Sequence, residues 1–141
     1  MESRNENWLA YTQEMIERNK FLKHIGFEFT ELKPGHTKGK LVFQEFHEQQ
    51  NGYLHGGMTS TILDMVCGYA AYSMVEQGHL VFTVESKCTY YNRGIGKEYF
   101  AEGFVDKPGK RFHFCEGLIY YFENDKKIIV AKCTTTMAVV N

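Results

Sequence analysis

Along the first fifty residues apolar positions recur at helical spacing and then in short alternating runs, and the second half alternates almost throughout. Trp8, Tyr11, Met15, Asn19 and Leu22 fall near the 3.6-residue repeat, which predicts an amphipathic helix over about residues 5–22, with Ser3 or Asn5 at its start. Phe27 to Leu32 and Lys38 to Phe46 read as strands joined through Pro34-Gly35, a pair that favours a turn. From His55 to about Val75, bounded by Gly78, the residues Met58, Ile62, Leu63, Met65, Val66, Tyr69, Ala70 and Tyr72 occupy most of a helical circumference. A helix apolar nearly all round is buried on most sides. Four alternating stretches follow, Val81 to Tyr91, Glu98 to Asp106, Arg111 to Phe122 and Lys127 to Val139; Lys107-Pro108-Gly109-Lys110 and Asn124-Asp125 separate the last three as hairpins. Links this short join antiparallel strands, so the pattern predicts an α+β domain with a sheet curled round one helix.

The 141 residues suffice for one domain with a real core, and no repeat or low-complexity linker divides them. With 16 basic and 17 acidic residues the net charge is -1, so no global field draws the chain to nucleic acid or to an anionic membrane. No apolar run is long enough to span a bilayer, and the opening Met-Glu-Ser-Arg-Asn-Glu-Asn-Trp lacks a secretory apolar stretch. A soluble cytoplasmic protein is expected. Cys67, Cys88, Cys115 and Cys133 stand far apart in apolar patterns, which suits reduced core thiols, and the six His residues show no metal-ligand spacing. No metal is expected.

Candidate chemistry concentrates in His55-Gly56-Gly57 and in Asp64, the lone carboxylate inside the apolar helix. A helix opening near Gly56 leaves its first N–H groups unpaired at the positive end of the dipole, where an anion or a polarised carbonyl oxygen is stabilised. A buried Asp is costly without partners or a task. Eight residues of helix rise about 12 Å, so Asp64 cannot reach a carbonyl held at Gly56 of the same helix. If both serve one site, they come from two copies with antiparallel helices across a two-fold axis, giving two identical sites per dimer.

His55-Gly56-Gly57 with an Asp nine positions after the His resembles the signature of the PaaI-type acyl-CoA thioesterases of the hotdog-fold superfamily. Leu32 to Gly39 is similar to that family's first hairpin and Phe82 to Val140 to its strand succession, so the resemblance covers the chain from about His24 onward. It implies a hotdog fold, a curved antiparallel sheet wrapped around one long central helix, with residues 1–141 forming one domain that includes the leading helix. It also implies hydrolysis of an acyl-CoA without a cofactor, coenzyme A being part of the substrate, in a homodimer or a dimer of dimers.

On this resemblance Asp64 is the general base, or the nucleophile of an acyl-enzyme anhydride, and Gly56 the oxyanion donor. Gly57 stands beside it as a second donor or as a packing residue. His55, next to the positive helix end, is expected to be a neutral hydrogen-bonding residue that positions the loop. Gln49 replaces the family's Asn six residues before the His, keeping the amide with a longer reach, and Asn51 follows two residues later. Thr83 matches a hydroxyl that holds the attacking water, or is an ordinary strand residue. Arg93, Lys107, Lys110 and Arg111 lie near the connections that meet the nucleotide, and Gly94, where relatives often carry Pro, suggests a looser loop. Met58, Ile62, Tyr69 and Phe82 are expected along the acyl group. The alternative reading is a non-catalytic acyl-CoA-binding sensor, which would need the pocket but not Asp64; a purely structural oligomer is a third.

Overall fold

The computed structural model of the chain describes residues 1–141. Its leading segment forms two helices where the hydrophobic spacing suggests one, α1 (Trp8–Glu17) and α2 (Lys20–Ile25). Asn19 causes the break. Its side-chain oxygen accepts the Leu22 N–H at 2.9 Å and caps α2, while its amide nitrogen donates to the Tyr69 hydroxyl at 2.8 Å. The single helix over 5–22 is therefore corrected to two helices separated at Asn19. Asn5 does act at the start, accepting the Asn7 N–H at 2.8 Å just ahead of α1.

Six strands follow: β1 (Phe27–Lys33), β2 (His36–Val42), β3 (Leu80–Tyr90), β4 (Glu98–Pro108), β5 (Phe112–Glu123) and β6 (Lys126–Val140). They form one antiparallel sheet in the order β1-β2-β4-β5-β6-β3. The β5–β6 turn places Asn124 and Asp125 at φ 49° and 63°, the left-handed conformation that tight hairpins require and that Asn and Asp tolerate. The second strand ends at Val42, short of the expected Phe46, because Glu45–His47 winds into a 3-10 turn around a buried imidazole. The Nδ1 atom of His47 accepts the Gln44 N–H at 2.9 Å, so Nε2 carries the proton and donates to the Ile25 carbonyl at 2.7 Å.

The sheet curls round the long helix α3 (Gly56–Tyr72), so the fold is the hotdog. Its inner face presents Tyr99, Ala101 and Val105 from β4, Ile119 and Tyr121 from β5, and Ala131 and Met137 from β6, all buried. Against them lie Ile62, Leu63, Val66 and Ala70 of α3, none of them exposed. Helix and sheet meet at backbone level. A Cβ on Gly103 would overlap the Val66 carbonyl, and one on Gly117 would lie 3.0 Å from the Sγ atoms of both Cys67 and Cys133. The Thr37 hydroxyl donates to the Val66 oxygen at 2.8 Å and fixes the rotation of α3. Cys67, Cys115 and Cys133 are buried free thiols and Cys88 is half-buried; burial pushes the Cys115 thiol up to about 12. No helix is long and apolar enough to cross a membrane.

His113 faces the core with neither ring nitrogen bonded, and burial, with a smaller contribution from Arg4, holds it down to about 4. Its folded value lies below the ~6.5 of an unfolded histidine, so the unfolded chain takes up a proton that the folded one refuses. The stabilisation is complete above that value and is lost as pH falls toward 4. We expect urea titrations to show His113 accounting for roughly 2–3 kcal/mol of the loss between pH 7.5 and 4.5, and His113→Leu to flatten the slope by that amount. An unchanged slope in the variant would show that the imidazole is protonated in the fold.

Candidate active site

The start of α3 is held by its incoming loop. The His55 N–H donates to the His47 carbonyl at 2.9 Å, and the Leu54 N–H donates to the Gly94 carbonyl at the same distance. Gly94 is buried, and a Cβ there would lie 2.6 Å from that of Leu54. The loose loop expected from this glycine is thus corrected: the missing side chain lets Leu54 seat against the backbone.

His55 is the N-cap residue. Its backbone is extended, and its Nδ1 accepts the Gly57 N–H at 2.8 Å. An accepting Nδ1 requires neutral imidazole with the proton on Nε2. Gly57 is small because a Cβ there would sit 3.0 Å from Nδ1. At Gly56 the situation differs: φ is not positive, and an added Cβ would meet only the Tyr90 ring at 3.7 Å, an ordinary contact. Nothing inside the chain demands glycine at that point. The Gly56 N–H has no partner in the chain, while its carbonyl accepts the Tyr90 hydroxyl at 3.0 Å.

Asp64 lies on the same helix, eight residues and about 12 Å along its axis. It is half-buried, and its Oδ1 accepts the Thr83 hydroxyl at 2.6 Å. A bulge between Thr83 and Glu85 shifts the alternation of β3, so Thr83 and then Ser86, Cys88 and Tyr90 all face α3. Bulges re-aim side chains in this way. Beside Asp64 opens a cleft of about 650 Å³, walled by Asn19, Phe21, Thr61, Met65, Cys88 and Tyr90. Of the residues expected along the acyl group, Met58 is half-buried near the helix start, but Ile62 and Tyr69 belong to the core and Phe82 points to the outer face. The rotation of α3 takes Ile62 and Tyr69 inward, and strand alternation turns Phe82 away from Thr83. Sequence periodicity held no signal for Phe21 or Tyr90, which reach the site from distant elements.

The remaining candidates are dispersed. The Gln49 side-chain oxygen accepts the N–H groups of Asn51 and Tyr53, so only its amide nitrogen is left to donate outward, and Asn51 is exposed at the turn. Arg93 donates to the Tyr53 hydroxyl at 3.3 Å with its guanidinium 5.4 Å from that ring, placing it near the helix start. Lys110 lies beside Val75 near the other end of the 17-residue helix, with Arg111 next to it and Lys107 at the end of β4. One chain does not gather these cations with Arg93.

Two surfaces flank the cleft. Gly57, Ser60, Thr61, Asp64 and Gly68 form the incompletely buried stripe of α3, and a Cβ on Gly68 would meet nothing within 4 Å. Next to it β3 is an edge strand, bonded only to β6, with Leu80, Phe82, Val84 and Tyr90 exposed. An exposed apolar edge is a template for another strand.

A family model described as the thioesterase superfamily matches residues 51–126. Among curated proteins no sequence matches this chain. The structure is similar to that of a thioesterase family protein from Silicibacter pomeroyi, with a TM-score of 0.91 and 28% identity over 94% of this chain and 98% of that one. The PaaI protein of the phenylacetic acid degradation operon of E. coli shares the fold at a TM-score of 0.84 and 17% identity, over 96% of this chain and 94% of that one. A Haemophilus influenzae thioesterase shares it at 0.80 and 17%, over 92% and 88%.

Because His55 caps α3 through Nδ1, His55→Ala should cost about 1 kcal/mol of stability in urea unfolding, while His55→Asn, another good cap, should recover most of it. Equal losses in both variants would show that the imidazole contributes through something other than capping.

Proposed function

The chain belongs to the thioesterase superfamily, and from that premise we propose that it hydrolyses the thioester of an acyl-CoA to the free acid and coenzyme A. The observation that carries this reading is the pairing of Asp64 with Thr83 at 2.6 Å beside an open cleft, on a helix whose first N–H is unbonded. A Thr hydroxyl that spends its proton on Oδ1 keeps its lone pairs to accept from a water, while the other carboxylate oxygen is left to act on that water. Asp64 is therefore assigned as general base. It takes the proton as the water oxygen attacks the carbonyl carbon; the C–S bond then breaks and the thiolate of coenzyme A leaves, collecting that proton. The carbonyl oxygen, negative in between, lies against the Gly56 N–H, and such a donor contributes ~3 kcal/mol in the transition state. The amide nitrogen of Gln49 is assigned to orient the carbonyl or the water, and Arg93 to the nucleotide.

The distance along α3 forbids Asp64 and Gly56 of one chain from sharing a substrate, so the functional unit is a homodimer. Its two-fold axis joins the β3 edges and sets the α3 stripes of small residues side by side and antiparallel, which brings Asp64 to Gly56 of the second copy. The edge is self-complementary in charge: with the axis near Ser86, Glu85 faces the second copy's Lys87. The cations near the far helix end are then available to the same or a neighbouring dimer.

Thiol release across a panel of acyl-CoA chain lengths and aryl-CoAs, without added metal, tests the activity. We expect turnover on part of the panel, unaffected by a chelator, and a loss of roughly 10²–10⁴-fold in kcat for Asp64→Asn. Binding with no hydrolysis anywhere on the panel would replace this reading by that of an acyl-CoA sensor. Single turnover in ¹⁸O-water should label the product acid alone; label in the Asp64 carboxylate would make that residue the nucleophile.

A further inference from the structure

Two glycines leave the start of a helix loosely specified, because glycine has the widest choice of backbone conformations and the first turn has few internal bonds. Yet an oxyanion donor is useful only if its direction is fixed before the substrate arrives. The first turn of α3 resolves this conflict with side chains from outside the helix. The peptide unit between Gly56 and Gly57 is gripped at both ends: its N–H by the Nδ1 of His55 at 2.8 Å and its carbonyl oxygen by the Tyr90 hydroxyl at 3.0 Å. Tyr90 comes from β3, thirty-four residues along the chain, and its ring also stands over Gly56, 3.7 Å from where a Cβ would be.

We infer that Tyr90 is a positioning residue for catalysis: with His55 it clamps the Gly56–Gly57 peptide so that the Gly56 N–H, and not that of Gly57, faces the thioester oxygen. This rests on the thioesterase reading above. The clamp separates the two glycines by task. Gly57 spends its N–H on His55 and is small so that the imidazole can close on it; Gly56 keeps its N–H unbonded in the chain and is small so that a ligand can reach it. The phenol also ties the donor to the edge strand through which a second copy is proposed to join. Disturbing the edge would thus disturb the donor.

Tyr90→Phe removes only the hydroxyl and keeps the ring over Gly56, so the fold is expected to survive. The readout that needs no substrate is amide hydrogen exchange: the Gly57 N–H should exchange at least several-fold faster in the variant, while amides in the middle of α3 are unchanged. On any acyl-CoA that the wild type hydrolyses, kcat should fall about tenfold, part of what deleting a whole donor costs, with KM within a factor of two. In the inactive Asp64→Asn background, the infrared carbonyl band of a bound aryl-CoA should lie closer to its free position when Tyr90→Phe is added. Unaltered Gly57 exchange would overturn the clamp whatever the kinetics. Faster exchange with unaltered kcat and carbonyl band would overturn its catalytic role. If the wild type hydrolyses nothing, the thioesterase reading and with it the catalytic role of Tyr90 fall, while exchange still decides whether the clamp exists.

Discussion

Everything about this site follows from how closely α3 can approach the sheet. At Gly103 the strand backbone touches the helix backbone with no side chain between, and at Gly117 two thiols fill the space a Cβ would take. The Thr37 hydroxyl on the Val66 carbonyl then leaves the helix one rotational setting. In that setting Ile62, Leu63, Val66 and Ala70 go into the core, and the opposite stripe, with Asp64 in its middle, looks toward the unpaired edge of β3. A bulky residue at Gly103 would turn or lift the helix and carry the carboxylate with it.

That setting also divides the chemistry. The carboxylate and the helix N-terminus are held rigidly, each by a partner from β3: Thr83 on Asp64 and Tyr90 on Gly56. They are too far apart on one helix to meet at one carbonyl carbon. The edge strand that supplies both partners also has no neighbour of its own and exposes apolar side chains. One event, the pairing of two such edges, would satisfy the strand, cover the small-residue stripe and complete two sites. In the proposed enzyme, assembly and catalysis therefore share a surface.

How much of this could be read from the residues depends on how local the cause is. The hairpins joining β4, β5 and β6 were legible because Asn124-Asp125 and Pro108-Gly109 state their turns in sequence. The placement of β3 beside β6 was not, since an edge position is fixed by pairing across some fifty residues. The helical break at Asn19 is not legible in the local spacing because its decisive bond goes to Tyr69 in α3. Asp64, Gly56 and His55 stand out through their spacing, and Thr83 through its place at the start of the next strand; the structure brings Thr83 to Asp64 and His55 to Gly57, but it turns the oxygen of Gln49 into its own loop. Ile62, Tyr69 and Phe82 are apolar, which in a well-filled core says nothing of whether they face the core, the outer surface or an acyl group. Phe21 and Tyr90 carry no motif and became visible only with the cleft.

The claim that one site is built from two chains is tested most directly by complementation. Asp64→Asn removes the base with little change of shape, and Gly56→Pro removes the proposed donor at a helix-start position that tolerates proline; each variant alone should be nearly inactive. Equal amounts after random subunit exchange give about half mixed dimers, each with one intact site of two, so recovery should approach about a quarter of the wild-type rate if sites act independently. No recovery after verified exchange between folded variants would contradict the shared site.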